Sequence, residues 1–585
     1  MKCHTMAEDN RVKGYCFYDW GKSAFETSVT TAILPGWFTF LFLKANGLTT
    51  TILGSEWSAD AIFSISVSLA AFIVAIMSPS FGVIADRRMI KMWWLRILTY
   101  LGAGSTILLA AAPWIGVSYQ WVWLLICFVL ANVGLNGAGV FYNALLPHMG
   151  TDDEMDSISN KAFAYGYFGG GILLVAHLGL LIMTGYAEWA MQASMATSGM
   201  WWLGFAMLTF KWVPEPHIEN EMDSLGFKES ASLALSEVVS TLKQYKEFRT
   251  LFVYMLAYFL FIDGINSVTA LAGVFGTSVL GLTIFDLILT IMIIQFVAAP
   301  AALGFTRLAG KWGTKKALQF ALVCWCFVIV GALSFAPLVP DAHEDFGLQA
   351  TWDDDAGHYT IEAVNVPEIA QDPDDEEQEW ANTHLAVLPL EENKYITSGA
   401  TFQWSENGLN TSDVVAVQTL LDSISDTRFS MSISGGVLND NVNIGEGHPT
   451  TLGDGMLDFV PSTARDWVWA PLGISVTIQF LLLGVMAGAL LGGSQGLSRS
   501  LFGQMVPETR SAEFFGFFGF FGKVAALIGP LLYGIMTVAF DSRVGIFSIS
   551  LLIVAGAIML RKVDVEDGIA VANAEDERNR AASVE

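Results

Sequence analysis

The chain has 585 residues, of which 53% are hydrophobic and only 15% are charged. Ordinary soluble domains are about 25% charged, so these figures exclude a chain built of soluble domains alone. The formal net charge is −26, but residues 341–466 hold 25 acidic and three basic residues, and the rest of the chain holds 31 acidic and 27 basic residues. The acidity therefore belongs to one segment.

Twelve apolar segments recur along the chain, each close to the roughly 20 residues that a helix needs to cross a bilayer. Helix is the predicted form because lipid offers no partner to an open strand edge, and no segment alternates with the two-residue period of a membrane barrel. We therefore predict an all-α polytopic membrane protein with twelve transmembrane helices. The segments are residues 15–43, 59–85, 92–113, 119–146, 160–185, 196–213, 248–275, 284–308, 317–338, 468–498, 513–540 and 543–560.

Lysine and arginine are concentrated on one side of these predicted helices. With the N-terminus placed in the cytoplasm, the inner segments hold 23 of them, and the short outer loops hold two, Lys44 and Arg543. Cytoplasmic loops of membrane proteins carry such an excess. We therefore expect both termini to be cytoplasmic and the long polar insert to face outward.

The polar insert lies between the ninth and tenth predicted helices. Residues 341–380 are strongly charged and poor in apolar residues, which predicts a solvated linker. Beyond residue 383, a helix-like stretch over residues 413–424 and the alternation of Phe429, Met431 and Ile433 predict a small α/β domain. The acidic clusters contain no calcium-loop motif, so we interpret them as a solvated face and predict no metal site.

These features divide the chain into two helical halves, a linker, an insert and a tail. No cysteine lies in the insert, so it has no disulfide framework. The predicted boundaries are residues 1–213 for the N-terminal six-helix half, 214–247 for a cytoplasmic linker, 248–338 and 467–561 for the C-terminal six-helix half, 339–466 for the acidic extracytoplasmic insert, and 562–585 for a cytoplasmic tail.

The loop after the second predicted helix contains a glycine, an aspartate and two arginines at the spacing Gly82-Val-Ile-Ala-Asp86-Arg87-Arg88. This motif resembles the loop signature of the major facilitator superfamily. Residues 306–316 resemble a second, degenerate copy, in which Gly310 stands in place of the aspartate. Two copies, each after the second helix of a six-helix half, are what a 6+6 repeat predicts.

An aspartate in such a loop can accept hydrogen bonds at a neighbouring helix N-terminus and pair with an arginine. A contact of that kind would hold the two halves in one state of a transport cycle. The alternative is an ordinary basic cytoplasmic loop. The gating residues that we predict on this basis are Gly82, Asp86, Arg87 and Lys311.

Ordered sequence patches along nearly all of the chain outside the insert are similar to one branch of that superfamily, the Atg22-like vacuolar effluxers and their prokaryotic relatives. Lys22 and Glu26 depart from the family's usual pattern at their positions. The patches are Tyr18-Asp19-Trp20, Phe141-Tyr142-Asn143, Gly166-Tyr167-Phe168-Gly169-Gly170, Trp201-Trp202, Phe261-Ile262-Asp263-Gly264, Gln295-Phe296-Val297-Ala298, residues 492–500, Glu513-Phe514-Phe515-Gly516 and Gly529-Pro530.

The resemblance implies a secondary transporter that moves a small polar or amphipathic solute, with amino acids as one candidate, by alternating access of its two halves. No nucleotide-binding motif is present, so we expect a proton or sodium gradient to supply the energy, with no cofactor and no nucleic-acid partner. We expect a multi-pass monomer in the plasma membrane, or in a vacuolar-type membrane if the source is eukaryotic. An enzyme is not expected. The alternative is a membrane-anchored receptor whose acidic ectodomain binds a ligand or partner.

Charged side chains inside a membrane are costly and therefore mark candidate functional sites. Asp19, Lys22 and Glu26 lie at positions i, i+3 and i+7 of the first predicted helix and share one face, so one ammonium can bridge two carboxylates. Such a group could hold a charged substrate or release a carboxylate to carry a proton. The alternative is an ion pair at the cytoplasmic end of the helix.

Asp263 lies in the middle of the seventh predicted helix, the repeat partner of the first, with Asn266 close by. Burial of an ionised carboxylate is costly, so we expect Asp263 to be the first candidate for the coupling proton and Glu26 the second. The alternative is that Asp263 only supports hydrogen bonds between helices.

The remaining polar candidates are amides and one arginine. Asn132, Asn136 and Asn143 form a rough stripe on the fourth predicted helix, where they either line a cavity or join helices. Arg499 lies at the end of the tenth predicted helix. Its two alternative roles are to pair with a gating residue or to bind an anion. The predicted substrate or coupling residues are Asp19, Lys22, Glu26, Asn132, Asn136, Asp263, Asn266, Gln295, Gln495 and Arg499.

Overall fold

A computed structural model gives the fold, and most of its residues are helical. Within the described part of the chain, eight helical stretches are long and apolar enough to cross a membrane. The segment predicted at 59–85 lies largely outside the described residues. The structure describes residues 2–46, 49–52, 55–58, 62–63, 66, 69–70, 72–74, 82, 85–86, 90–217, 243–282, 284–355, 357–363, 380, 400–403, 405–406, 409–410, 414–453, 455–525 and 528–581.

The helices lie at the predicted apolar segments and at three further places, two in the insert and one in the tail. A π-helical stretch, Phe25–Ile33, joins the first two of them. They are α1 (Lys2–Ala24), α2 (Leu34–Asn46), α3 (Lys91–Leu109), α4 (Gln120–Ala144), α5 (Asp152–Met183), α6 (Glu188–Trp212), α7 (Arg249–Ser278), α8 (Ile284–Trp312), α9 (Thr314–Ala332), α10 (Val414–Ser423), α11 (Phe459–Ala464), α12 (Val476–Gln504), α13 (Ser511–Val524), α14 (Ile528–Ala539), α15 (Ser542–Arg561) and α16 (Val565–Ala581).

Small residues allow the membrane helices to pack closely, as is usual where lipid provides no hydrophobic drive between helices. Gly169 of α5 lies against the backbone of Trp20 in α1, and a Cβ at that glycine would overlap the Trp20 carbonyl. Gly492 of α12 lies against Ala298 of α8 in the same way. These contacts hold α1 to α5 in the first half and α8 to α12 in the second.

The two sides of the helical bundle can be distinguished by their contacts. Arg11 donates to the carbonyl of His148, and Met505 lies against Gly568, so the two terminal regions and these loops share one side, here called the terminus side. Trp469 donates to the carbonyl of Ser334 at 2.6 Å on the opposite side, here called the insert side.

The insert contains a five-stranded mixed sheet in the order β5-β4-β3-β8-β9. β3 pairs antiparallel with β4 and parallel with β8. Alternate side chains of these strands are buried with one face of α10, so the core of the insert is separate from that of the membrane helices. The strands are β1 (Thr49–Ile52), β2 (Ser55–Ser58), β3 (Leu348–Asp353), β4 (His358–Ala363), β5 (Ala400–Gln403), β6 (Ser405–Glu406), β7 (Leu409–Asn410), β8 (Ser430–Ser434) and β9 (Val442–Ile444).

The prediction of a solvated linker over residues 341–380 is wrong. β3 and β4 lie in that stretch and form the middle of the sheet, where Leu348, Tyr359 and Ile361 are fully buried. Composition alone misleads here, because the acids Asp353, Asp354 and Asp355 lie at the end of β3 and in the turn after it, while the apolar residues alternate within the strands.

The stretch predicted as one span over residues 513–540 is divided into α13 and α14. Gly529 and Pro530 stand at the start of α14, where the proline needs no backbone donor. A discontinuous helix exposes backbone N–H groups in the middle of the bundle, and these need acceptors.

The tail predicted at 562–585 forms α16, which packs on the terminus side. Asp576 accepts hydrogen bonds from the backbone N–H groups of Glu508 and Thr509 at 2.9 and 3.0 Å. Glu575 pairs with Arg510 at 3.2 Å. These contacts fix the loop between α12 and α13.

The predicted linker contributes a cap to α3. The carboxylate of Glu215 accepts hydrogen bonds from the backbone N–H groups of Lys91 and Met92, the first two residues of that helix. Burial raises the pKa of the Glu215 carboxyl.

Candidate functional site

A cavity of about 430 Å³ lies between the two helical halves. The first half contributes α1, the π-helical stretch, α4 and α5, and the second contributes α7, α8, α12 and α13. Asn132 and Asp263 are absent from the described residues that line it. Of the ten predicted substrate or coupling residues, the cavity is lined by Asp19, Lys22, Glu26, Asn136, Asn266, Gln295, Gln495 and Arg499.

Asp19 is buried and lies between two cations. Its carboxylate is 3.3 Å from Lys22 Nζ on the same helix and 3.3 Å from Arg499 Nη1 on α12 of the other half. Tyr142 Oη donates to the same carboxylate at 2.8 Å. Buried charges are tolerated when paired and hydrogen-bonded, and this set of partners meets that requirement.

Arg499 belongs to the second half, but its hydrogen-bond partners belong to the first. Its Nε and Nη2 donate to the hydroxyl and the carbonyl of Ser159 at 3.0 and 2.9 Å, and Nη1 reaches Asn143 Oδ1 at 3.3 Å. The guanidinium also lies 4.2 Å from the ring centroid of Phe163, a cation–π contact. The arginine thereby joins the two halves through one side chain.

Glu26 has a different environment although it lies only seven residues from Asp19. Lys22 Nζ is 3.2 Å from Glu26 Oε2, and the Glu26 side chain is 45% exposed. The π-helical stretch begins at Phe25, and such stretches are frequent at functional sites. Lys22 thus contacts a buried carboxylate on one side and an accessible, cavity-lining carboxylate on the other.

Carboxamide and phenol groups complete the polar lining. Tyr167 Oη donates to Gln495 Oε1 at 2.9 Å, which links α5 to α12. Gln295 Oε1 is buried and has no hydrogen-bond partner among the described residues. A buried acceptor without a partner is costly, so this atom is available to a donor group on a bound solute.

Asp263 is fully buried, and its contacts are those of a helix cap. The backbone N–H of Gly529 donates to its two carboxylate oxygens at 3.0 and 3.1 Å, and Ser267 Oγ donates at 3.2 Å. Gly529 lies at the start of α14, so Asp263 satisfies a donor that the break between α13 and α14 exposes. This geometry favours the structural alternative for Asp263 over a role in coupling.

Asn132 also makes local contacts. It is buried, and its amide donates to the carbonyl of Phe128 one turn earlier at 3.1 Å. Asn136 makes a similar bond to Asn132 but lines the cavity, as does Asn143. The polar stripe predicted on the fourth helix is therefore divided between packing and cavity.

The predicted gating loop contacts the second half. Asp86 accepts from the backbone N–H groups of Ala512 and Glu513 at 3.0 and 2.7 Å, at the N-terminus of α13. Its carboxylate also pairs with Lys91 at 2.8 Å, a lysine in place of the expected arginine. A Cβ at Gly82 would overlap the carbonyl of Ala512. The glycine therefore lets this loop approach the backbone at the start of α13.

The remaining gating predictions find less support. Arg87 lies outside the described residues. Lys311 is exposed at the end of α8 and makes no hydrogen bond or ion pair with the residues that the structure describes. In the degenerate second copy, Lys315 instead donates to the carbonyls of Arg561 and Val563 at 3.0 and 2.7 Å.

The contact between Thr314 and Asp156 also joins the halves, and sequence reasoning missed it. Thr314, at the N-terminus of α9, donates to Asp156 Oδ2 at 2.6 Å. The second copy of the motif has Gly310 where an aspartate would stand, and here α5 of the other half provides the carboxylate. Nothing in the sequence distinguished Asp156 from the other acids in the first turns of α5.

Further contacts between the halves involve α5. Ser159 Oγ donates to the carbonyl of Gly496 at 2.8 Å, and Asn160 Nδ2 donates to Thr306 Oγ1 at 3.1 Å. Further along α5, Gly171 lies against the side chain of Gln295 in α8. α5 therefore contacts α8 and α12 of the second half at several levels.

Comparisons with known proteins agree with this architecture. The family model described as vacuole effluxer Atg22 like matches residues 7–354 and 455–573, which leaves out most of the insert. An uncharacterized MFS-type transporter of Bacillus subtilis, YxiO, is 29% identical over 347 residues, which are 57% of this chain and 74% of that protein. Autophagy-related protein 22 of Kluyveromyces lactis is 32% identical over 103 residues, which are 17% of this chain and 21% of that protein.

Two solved structures share the fold at low sequence identity. A bacterial homologue of the iron transporter ferroportin in its outward-facing state aligns with TM-score 0.51 and 11% identity, over 95% of this chain and 99% of that one. The proton:xylose symporter XylE aligns with TM-score 0.52 and 12% identity, over 95% of each chain. XylE is a member of the major facilitator superfamily. At these identities the likeness supports the fold and carries nothing about substrate.

Proposed function

Because the chain belongs to the Atg22-like family of major facilitator transporters, we propose that it moves a small solute with both positive and negative groups, such as an amino acid, by alternating access. The family and fold support a multi-pass secondary transporter. The substrate, the coupling ion, the twelve-helix count and the sidedness belong to this proposal.

The observation that carries the proposal is the cluster of Asp19, Lys22 and Arg499 in the wall of the cavity. It places charged groups of both signs against a solute and joins the two halves through Arg499. A solute carboxylate that approached Lys22 or Arg499 would compete with Asp19 for the same cations. Binding would then weaken a contact between the halves, which is what a transporter needs in order to change state.

The accessible end of the cluster provides for the other charge of the solute. Glu26 lines the cavity and is half-exposed, so an ammonium group could contact it while displacing Lys22. The unpartnered Gln295 Oε1 offers a second acceptor. Binding of a zwitterion would therefore replace pairs within the protein by pairs between protein and solute.

A thermal-shift screen of the purified protein in nanodiscs, over amino acids, small peptides and polyols, tests the substrate class. We expect stabilisation by zwitterions and a matched loss of that stabilisation in Arg499→Gln. Stabilisation by polyols alone, in the wild type and in Arg499→Gln alike, would contradict the proposed class while leaving the transporter fold intact.

For coupling we propose a proton carried by Glu26. This carboxylate faces the cavity beside Lys22, and Arg499 and Tyr167 line the same space. Glu26→Gln in proteoliposomes should abolish accumulation driven by a pH gradient while solute exchange continues. Asp263→Asn is the matched control, because Asp263 is not among the described residues that line the cavity, and this variant should still accumulate solute. Accumulation driven by a sodium gradient alone would contradict proton coupling.

The gate is proposed at Asp86 and Asp156, which both bind helix N-termini of the second half on the terminus side. Asp86→Asn should slow turnover far more than it weakens substrate binding, because Asp86 lies outside the cavity. A large loss of affinity with normal turnover would contradict this role.

The termini are proposed to be cytoplasmic, with the insert on the outer face. In a cysteine-free background, a cysteine at Val437 in the insert should react with an impermeant reagent on intact cells, and one at Tyr245 in the linker should not. Both side chains are more than half exposed, so a cysteine at either position is accessible to a reagent on its own side of the membrane. Labelling of Tyr245→Cys alone would reverse the orientation.

The receptor alternative predicts that the insert is indispensable. Replacing residues 341–450 by a short flexible linker leaves the contacts that Arg465 and Trp469 make with the ends of the helices, apart from the one to Thr450. A transporter should keep basal flux after this replacement. Loss of all flux in a protein that still unfolds cooperatively would favour the receptor.

A further inference from the structure

Large apolar side chains are exposed in the segment that connects the insert to α12. Trp467 is 82% exposed, and Met456, Phe459 and Leu472 are each more than half exposed. Residues 456–472, here called the interface segment, include α11 and a π-helical turn, Arg465–Trp469. Contiguous exposed apolar side chains of this size mark a surface that another phase or molecule covers.

The segment is held at the insert-side ends of the membrane helices. Arg465 donates to the carbonyl of Thr450 at 2.6 Å, and Trp469 donates to the carbonyl of Ser334, just beyond α9, at 2.6 Å. Asp458 pairs with Arg543, at the start of α15, at 3.0 Å. All of the helix ends that it contacts belong to the second half.

The exposed apolar surface continues directly into the lipid-facing surface of α12. That helix begins at Val476, only a short turn beyond Leu472, and its first turns expose Ile478 and Leu482. The family and fold place α12 in a membrane. The interface segment therefore lies at the depth where α12 enters the bilayer.

The charges of the segment agree with an apolar rather than an electrostatic contact. Asp458 and Arg465 are engaged with other parts of the chain, and Asp466 is the remaining exposed charge of the segment. The insert as a whole is strongly acidic, which disfavours attraction to anionic headgroups. Tryptophan and phenylalanine are the residues that favour the boundary between headgroups and acyl chains.

We propose that residues 456–472 form a membrane-interface anchor, which inserts Phe459, Trp467 and Leu472 into the lipid leaflet on the insert side. The anchor fixes the base of the insert to the leaflet and to the second half. When the two halves rock, the insert then moves with the second half. The contact depends on apolar insertion, so it needs no anionic lipid.

Nitroxide labels on single cysteines test the proposal in the full-length protein, with the native cysteines replaced and the protein in nanodiscs of neutral lipid. Trp467→Cys and Phe459→Cys are the test sites. Val437→Cys is the matched control, because Val437 is also apolar and 82% exposed but lies in a turn of the insert. Power saturation compares access of oxygen, which enters lipid, with access of a water-soluble nickel chelate.

We expect both test labels to be several-fold more accessible to oxygen than to the nickel chelate, and the Val437 label to show the reverse. The ratio should not change when anionic lipid is added. Equal access of the chelate at all three sites would place the segment in water and overturn the proposal. Low access of both reagents at the test sites would mean that a protein surface covers them, and would overturn it as well.

Discussion

Asp19 and Asp263 are both buried aspartates, in the first helix of each half, and they have different partners. Asp19 is paired with Lys22 and with Arg499 of the other half, and it lines the cavity. Asp263 accepts from Gly529 and Ser267, all within the second half, and lies outside the described lining. Buried aspartates in the first helices of the two halves therefore serve different purposes.

The difference lies in whether the partners move relative to each other. The bond between Arg499 and Asp19 crosses the boundary between halves, so the proposed rocking of the halves would strain it. Asp263 and Gly529 belong to one half and can stay bonded throughout a cycle. A carboxylate that changes partners is suited to respond to a solute, whereas one with constant partners stabilises a discontinuous helix.

The largest expected effect is that of Arg499→Gln. Removing one partner of a buried ion pair costs about 3–5 kcal/mol, which corresponds to about a hundredfold or more in a rate or population. We expect solute flux in proteoliposomes to fall by at least about a hundredfold. Arg499→Lys, which keeps the charge, is the control and should retain measurable flux. Normal flux in Arg499→Gln would remove the basis of the comparison.

Tyr142→Phe should have the next largest effect on the Asp19 side. It deletes a hydrogen bond to a buried carboxylate, worth about 1.5–3 kcal/mol, while the ring packing remains. We expect flux to fall by about tenfold or more and substrate affinity to change, since the phenol lines the cavity. Unchanged flux and affinity would show that Lys22 and Arg499 suffice to hold Asp19.

Gly529→Ala should disturb the Asp263 side without altering any charge. The added methyl would overlap Ser267 Oγ and crowd Asp263 Oδ1. Overpacking of this kind costs about 1–3 kcal/mol, so the thermal unfolding midpoint should fall. Gly534→Ala on the same helix is the matched control, because a Cβ there meets no atom within 4 Å. Equal midpoints for the two variants would contradict the close contact.

The smallest effect is expected for Asp263→Asn. An amide oxygen can still accept from Gly529, so the cap weakens by a few tenths of a kcal/mol to about 1 kcal/mol. We expect a slightly lower unfolding midpoint, with unchanged substrate affinity and unchanged response to a pH gradient. Loss of pH-driven accumulation in this variant alone would restore Asp263 as the coupling residue and make the two aspartates functionally alike.

Sequence periodicity was sufficient for the contacts within one helix. Asp19, Lys22 and Glu26 were predicted to share a face, and Lys22 does lie between the two carboxylates. The same reasoning could not distinguish Asp156 from its acidic neighbours, because its partner Thr314 is 158 residues away in the chain. The stretch that contains β3 and β4 was predicted to be a solvated linker, because its charged composition was given more weight than a short alternation of apolar residues.

By itself, the sequence determined the membrane character, the order of the apolar segments and the family, since lipid imposes long apolar runs and the motifs lie within continuous stretches. Only the tertiary structure decided which buried charges face the cavity. Burial and pairing depend on neighbours from other helices: Arg499 meets Asp19 across the two halves, while the break between α13 and α14 brings Gly529 to Asp263. Spacing along one helix contains no information about those neighbours.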